Sequence, residues 1–505
     1  MIALTVAEIA EIVGGRLADI SPEQAARTVV SGTVEFDSRR ITAGSLFLAL
    51  PGARANGHDH AASAVAAGAV AVLAARPVGV PAIVVDPGPK AASRSGALEH
   101  DDAAGSGATV LAALARLAAA VAARLVAEGL RIIGVTGSSG KTSTKDLIAT
   151  VLAPLGQVVA PPGSFNNELG HPWTVLRADQ HTDFLVLELS ARHRGNIAEL
   201  AAIAPPQLAV VLNVGSAHLG EFGSREAIAE TKAELVQAVP ESGVVILNVD
   251  DSAVATMADK TAARVVRVSR AAPADVWADA VVLDELARPR FTLHTGDTAV
   301  DIALAVHGDH QVSNALCAAA VALECGATGQ QVAAALAAAG PVSRHRMQVT
   351  TRSDGVTVID DAYNANPDSM RAALQALAVI ARQSAAPGSL PPATPRRSWA
   401  VLGEMAELGE DAISEHDRIG RLAVRLDVSR LIVVGVGRAM GAMHHGAVME
   451  GSWGAEATAV PDVDAALALL RAELRPGDVV LVKASNAAGL TALADALVGD
   501  DPGDR

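Results

Sequence analysis

The chain has 505 residues, half of them hydrophobic but only 2% aromatic, and carries a formal net charge of −15. Such a length exceeds what one hydrophobic core ordinarily serves, so several domains are expected, with cores built from Ala, Val and Leu. The acidic balance excludes a nucleic-acid backbone as partner, which needs a basic face, but leaves room for a small anionic ligand held by a few local cations.

The N-terminal MIALTVAEIAEIVGG has no basic region and no cleavage site, and Glu8 and Glu11 fall inside its apolar periodicity. It reads as a first helix rather than a signal peptide. Residues 1–86 alternate short helices and strands, ending in PAIVVD. Residues 87–107, small and polar without period, read as a linker or surface insertion that holds the first domain boundary. The run 108–127 is long and apolar enough to mimic a membrane span. Arg116 and Arg124 interrupt it, each at a cost of roughly 2.5–3.5 kcal/mol at a bilayer centre. A soluble helix and a cytoplasmic protein are therefore expected.

Next comes LRIIGVTGSSGKTSTK, 130–145. An apolar strand feeds a glycine-rich turn, and Leu147, Ile148, Val151, Leu152 and Leu155 then recur at helical spacing. Strand, loop and helix make a phosphate cradle: backbone N–H groups of Gly137, Ser138, Ser139, Gly140, Lys141, Thr142 and Ser143 face an anion. Lys141 adds charge and the Thr142 hydroxyl suits Mg²⁺. The spacing is a variant, with Val135 where the first glycine of GxxxxGK[ST] belongs. ATP or GTP binding follows. Strand-like runs at 184–189, 208–213 and 243–248 alternate with helices, which predicts a largely parallel sheet.

A second boundary falls near Gly340-Pro341, after an Ala-rich helix at 330–339. TVIDDAY, SWAVLGEM, RLIVVGVG and DVVLVKAS then predict another α/β unit, with 384–398 an exposed loop. GVGRAMG at 435–441 has Met440 in the last glycine position of a dinucleotide fingerprint and reads as a tight turn. The expected fold is α/β in three domains: a small N-terminal domain (1–95), a central parallel-sheet ATPase domain with the phosphate loop (96–341), and a Rossmann-like C-terminal domain (342–505).

Ligands in open α/β sheets gather beyond the carboxyl ends of strands. Glu188 ends FLVLEL and His218 follows LAVVLN, so both should share the phosphate loop's edge and suit a divalent cation. Lys232 lies four residues after Ile228 on the stripe with Leu235 and Val239, where burial would lower its pKa. Asn166 and Asn167 sit in a turn-like stretch, and His310 and Asn314 lead into a helix. Arg346 and Asp361 suit a nucleotide clamped between domains. Tyr363, the only tyrosine, lies in the same run as Asp361, and Lys483 ends a strand. Cys317 and Cys325 read as small buried hydrophobes.

With these residues in view, the chain resembles the Mur ligases, the ATP-dependent amide-forming enzymes of peptidoglycan synthesis. The runs that carry the likeness are EFDSRRITAGSLFLALPGARANGHDH, TGSSGKTS, SFNNELGHP, LELSARHRGNI, NVGSAHLGEFGS, TKAEL, DDAYNANPDSM, LGEMAELG and VLVKAS. NNELGHP and DAYNANP point to the branch that joins D-alanyl-D-alanine to a UDP-N-acetylmuramoyl-tripeptide. The resemblance implies ATP on the loop 137–143, Mg²⁺ (two ions) served by Thr142, Glu188 and His218, and Lys232 carbamylated as a further metal ligand. It implies catalysis by Lys141, Lys232 and His218, and nucleotide contacts from His310, Asn314, Arg346 and Asp361. Substrate contacts fall to Asp37, Ser38, Arg39, Asn166, Asn167 and Ser190. Three residues depart from the family pattern: Asn56 replaces an acid, Gln311 an asparagine and Asn486 an arginine. In the implied reaction ATP turns a peptide carboxylate into an acyl phosphate, which the dipeptide amine attacks. No cysteine or serine nucleophile is required, and a monomer is expected. The alternatives are another Mur-type or folylpolyglutamate-synthase-like ligase adding a different amino acid, or a nucleotide-switch binding module.

Overall fold

The computed structural model describes residues 1–52, 55–86, 102, 105–215, 219–382, 396–451 and 456–499. Most of the expected linker 87–107 and of the loop 384–398 lies outside the described residues, but both end earlier than expected: Ser106 and Gly107 already belong to a helix and Ser398 to a strand.

The first helix, Val6–Val13, opens on a capping box between Thr5 and Glu8 and closes on Gly14 at φ 61°. These ends satisfy backbone groups that a short helix would otherwise leave bare. Its buried stripe of Val6, Ile9, Ala10 and Val13 faces the core. Beside it is a five-stranded sheet in the order Arg16–Ala18, Ala82–Val84, Ala69–Ala74, Ser45–Leu48, Val34–Glu35. The apolar run after the linker is the helix Ser106–Ala127. By length and composition it could cross a bilayer, yet half of its most apolar window is buried within the fold. It packs against Val6–Val13 and against the helices Gly170–Val175 and Asn196–Ile203. Arg116 donates two hydrogen bonds, at 3.1 and 2.8 Å, to the Val13 carbonyl. The arginine that argued against a membrane thus ties this helix to the first one.

Nine strands form the central sheet. Its parallel part runs Val158–Val159, Phe184–Glu188, Arg131–Thr136, Leu208–Val211, Val244–Asn248, Arg264–Ser269 and Val276–Leu283. The anticipated strands are all present. The sequence reading did not anticipate the antiparallel end, where Val276–Leu283, Pro289–Thr295 and Thr298–Ala303 form a meander. The phosphate-loop strand Arg131–Thr136 lies between Phe184–Glu188 and Leu208–Val211. The chain passes from one neighbour to the other across it, which makes this edge a topological switch point.

A six-stranded third sheet has the order Gln348–Thr351, Thr357–Asp360, Val479–Lys483, Ser398–Leu402, Arg430–Val434, Ala457–Val460. The four anticipated strands are its inner members, and the two edges were not anticipated. GVGRAMG is a strand-to-helix turn with Gly435 and Gly437 at φ 114° and 112°, and Met440 is buried in the local core. Cys317 is fully buried among Ala and Val, which pushes its thiol up to about 12. It is a packing residue, as its surroundings in the sequence suggested.

Candidate active site

The carboxyl edge of the central sheet faces the third sheet across a cleft of about 820 Å³. The phosphate loop enters it between Thr136 and the helix Lys141–Leu152. Gly140 stands at φ +83°, and a Cβ there would lie 2.7 Å from the Asn314 side-chain oxygen. Conformation and space both demand glycine. Asn213, just past the strand Leu208–Val211, braces the loop from below. Its Oδ1 accepts from the N–H groups of Ser138 and Ser139 at 3.0 and 2.9 Å, and its Nδ2 donates to the Ser139 carbonyl at 3.1 Å. The first-turn amides of the following helix are left to face an anion.

Lys141 folds its ammonium onto the Gly137 carbonyl at 2.8 Å. Burial lowers its pKa against the pull of Glu188. Thr142 Oγ1 donates to Glu188 Oε2 at 2.9 Å and lies 2.7 Å from Ser164 Oγ. A hydroxyl has one proton, so Ser164 is the donor to Thr142. Asn166 Nδ2 donates to Glu188 Oε1 at 2.7 Å, and Ser190 Oγ donates to Asn166 Oδ1 at 2.9 Å. One buried carboxylate, 2% exposed, thus anchors a network of one threonine, two serines and one asparagine. Hard oxygen donors of this kind suit Mg²⁺.

The third sheet reaches in from the other side. Arg346 donates to Ser164 Oγ at 2.8 Å and to Thr142 Oγ1 at 3.2 Å. Asp361 lines the cleft but is pinned: Lys483, 2% exposed, donates to its Oδ2 at 2.6 Å, and the Met347 N–H to its Oδ1 at 3.1 Å. Lys483, which ends its strand as the sequence indicated, also lines the cleft, with its charge paired there to Asp361. At the far end Arg270 and Asp309 form a two-pronged ion pair at 2.6 and 2.9 Å. His310 lines the cleft beside them, and burial depresses its pKa. Among the described residues its buried Nδ1 has no hydrogen-bond partner and packs against Gly308, where a Cβ would lie 2.7 Å away. Asn314 donates to Gln311 at 2.9 Å, which gives that departure from the family pattern a bracing role.

Other expected residues take different places. Asn167 lines the cleft, but its Oδ1 accepts from the Leu169 and Gly170 N–H groups at the head of the helix Gly170–Val175. Asp37, Ser38 and Arg39 form a turn on the N-terminal sheet, and the structure does not bring them to the cleft. The Arg39 guanidinium and backbone N–H hold the Asp37 carboxyl down at about 2. Their neighbour Phe36 packs on Phe165 and Trp173 of the central domain, and Trp173 Nε1 donates to the Val34 carbonyl at 2.8 Å. Asn56, the departure nearby, holds His58 Nδ1 at 2.9 Å, while the Ala75 N–H donates to Nε2. Lys232 is 8% exposed on the helix Arg225–Gln237. Burial, aided by the charge of Lys141, drives its pKa well below the ordinary value. His218 lies outside the described residues.

Sequence reasoning missed Ser164, Asn213, Arg192 and Glu407. Asn213 could have been found, since it ends LAVVLN on the same edge as Glu188. Arg192 and Glu407 meet across the cleft at 3.3 Å, a pairing with no local signal in the chain.

Family models match three stretches: the Mur ligase family catalytic domain over 32–124, the Mur ligase middle domain over 135–322, and the Mur ligase glutamate ligase domain over 345–486. The UDP-N-acetylmuramoyl-tripeptide–D-alanyl-D-alanine ligase of Mycobacterium tuberculosis is 75% identical over 99% of each chain. The ligase of the same name from Escherichia coli is 33% identical over 86% of each. A crystal structure of MurF from Acinetobacter baumannii superposes with a TM-score of 0.80 at 27% identity, covering 99% of both chains. MurF ligase from Thermotoga maritima in complex with ADP gives 0.73 at 26% identity, covering 94% of this chain and 99% of that one.

Proposed function

The chain belongs to the Mur ligase family, and on that footing we propose that it joins D-alanyl-D-alanine to UDP-N-acetylmuramoyl-tripeptide at the expense of ATP. The observation that carries this is the 75% identity, end to end, with a ligase of that name. The products are UDP-N-acetylmuramoyl-pentapeptide, ADP and phosphate, which makes this a step of cell-wall precursor synthesis. We assign the UDP end of the substrate to residues 1–95, ATP to 96–341, and closure over the nucleotide with capture of the dipeptide to 342–505.

A carboxylate is a poor electrophile. Transfer of the γ-phosphoryl to it gives an acyl phosphate and ADP; the dipeptide amine then attacks the acyl carbon, and phosphate leaves. Lys141, the first-turn amides and Arg346 would face the charge that grows on the phosphoryl oxygens. Thr142 and Glu188 would hold Mg²⁺, a fit supported by their converging oxygens 2.9 Å apart. When bound, the cation would neutralise phosphate charge and polarise the transferring group. Asn166, Asn167 and Ser190 would border the peptide end, His310, Asn314 and Asp361 the nucleotide end, and Asp37, Ser38 and Arg39 the UDP end. A carbamate on Lys232 is supported by the burial of its amine, which lowers the amine's pKa and so favours the neutral form that reacts with CO₂. His218 completes the metal set in this reading. We expect a cytoplasmic monomer.

Release of ADP by the purified protein should require both UDP-N-acetylmuramoyl-tripeptide and D-alanyl-D-alanine. A preference for glutamate, a folate or a single D-amino acid would move the chain to another branch of the family.

A further inference from the structure

We propose that Tyr363 is a positioning residue that acts through Arg346, holding the guanidinium at the phosphate loop without using up its charge or its donors. The inference rests on the ATP-dependent reading above and concerns a side chain that the reading leaves without a task. The Arg346 Cζ lies 4.3 Å from the centroid of the Tyr363 ring. From that seat the guanidinium reaches the Ser164 and Thr142 hydroxyls of the central domain.

The type of partner matters. A carboxylate would take two of the five N–H donors and cancel the charge, whereas an aromatic face stacks on the flat of the group and leaves the in-plane donors open to an anion. An arginine side chain also has many rotamers to lose, and a ring beneath it removes some of that freedom before the ligand arrives.

The backbone is built around the same arrangement. Arg346 is flanked by two non-glycine residues in the left-handed region, His345 at φ 58° and Met347 at φ 48°. Such strain persists only where the surroundings over-determine it. Here the opposing segment does so. His345 Nδ1 meets Asp360 Oδ2 at 2.7 Å, the Met347 N–H donates to Asp361, and the Tyr363 N–H donates to the His345 carbonyl at 3.3 Å. Lys483 in turn fixes Asp361. The two segments are zipped so that the strained tripeptide delivers its central side chain onto the ring.

The test uses the full-length protein with Tyr363→Phe and Tyr363→Leu, each in the wild-type and Arg346→Ala backgrounds. Tyr363→Phe keeps the face and should stay within about twofold of wild type. Tyr363→Leu should lose roughly 5- to 30-fold in kcat, with a smaller change in KM for ATP. Without Arg346 the same leucine should cost nothing more, since the two residues act as one unit. A second readout is independent of the peptide substrates: the affinity ratio of a non-hydrolysable ATP analogue to ADP should fall in Tyr363→Leu and hold in Tyr363→Phe. Equal losses for Phe and Leu would overturn the proposal, as would a leucine penalty of the same size without Arg346. A loss confined to KM for ATP in both backgrounds would overturn it too and mark the ring as a stacking platform for a base. Should Tyr363→Leu not fold, Tyr363→Met is judged by the same criteria. A wild-type protein inactive with the proposed peptide substrates would sink the functional reading alone, because the nucleotide ratio still decides the role of Tyr363.

Discussion

Among the described residues Lys141 makes one hydrogen bond through its side chain, to the carbonyl of Gly137, and burial already weakens its hold on a proton. Lys141→Ala should therefore leave the melting temperature within a few degrees of wild type while turnover falls by about 100-fold or more. Normal turnover in the folded variant would remove the loop from the chemistry. Lys232→Ala should also lose most activity, and formate or acetate should restore part of it by filling the place of a carbamate. Full activity of that variant in CO₂-depleted buffer would reduce Lys232 to a buried amine without a task. His171 bears on stability instead. Its ring is 1% exposed, and burial pushes its pKa down to about 4 from an ordinary 6.5. Above 6.5 the imidazole is neutral in both folded and unfolded chains. As pH falls from 6.5 towards 4 the unfolded chain binds the proton first, so stability drops, by up to about 3 kcal/mol. Below 4 the loss is complete. Denaturant titrations of His171→Leu across that window should show a flatter pH profile than wild type.

At the scale of elements, periodicity found what burial imposes. The strands Arg131–Thr136, Phe184–Glu188, Leu208–Val211 and Val244–Asn248 are covered on both faces, and their continuous apolar runs announce them. The meander from Val276 to Ala303 escaped because several of its side chains face solvent, Asp279, Val282 and Arg290 among them, so charge and threonine dilute the pattern. Edge strands Gln348–Thr351 and Ala457–Val460 are mixed for the same reason. Of the site, the edge rule located Glu188, and GKT located the loop. Ser164, whose hydroxyl matters only because residues distant in the chain converge on it, carries no such mark. The loop itself offers a sharp test. Gly140→Ala forces a side chain into the Asn314 amide at a positive φ, so nucleotide binding should weaken at least about tenfold, with little change in thermal stability. Calorimetric titration with ADP checks it, and unchanged affinity would mean the loop can move aside.

Across the whole molecule, the cleft is framed by contacts between residues far apart in the chain. Arg346 spans it near the loop, and Arg192 meets Glu407 at its rim. Next to that pair the Gly220 N–H donates to the Glu407 carbonyl at 3.3 Å, and Gly220 and Gly409 touch backbone to backbone. A Cβ on Gly220 would lie 2.6 Å from the Gly409 nitrogen, and one on Gly409 would lie 2.7 Å from the Gly220 Cα. Gly220→Ala should hold the two sides apart, lowering kcat about tenfold or more while leaving the affinity for the UDP-linked substrate unchanged. Small-angle scattering should show a larger radius of gyration, and an unchanged radius with full activity would refute the account.

That crossing of two bare backbones also has a consequence for descent. Each glycine is excluded from change by the other: a methyl at either position strikes main chain that no rotamer can withdraw, and a methyl at both strikes twice. Single mutational steps therefore offer no route by which this pair can become any other pair. Lineages sharing the contact should inherit the two glycines together, and a lineage that has lost one should have rebuilt the neighbouring loop.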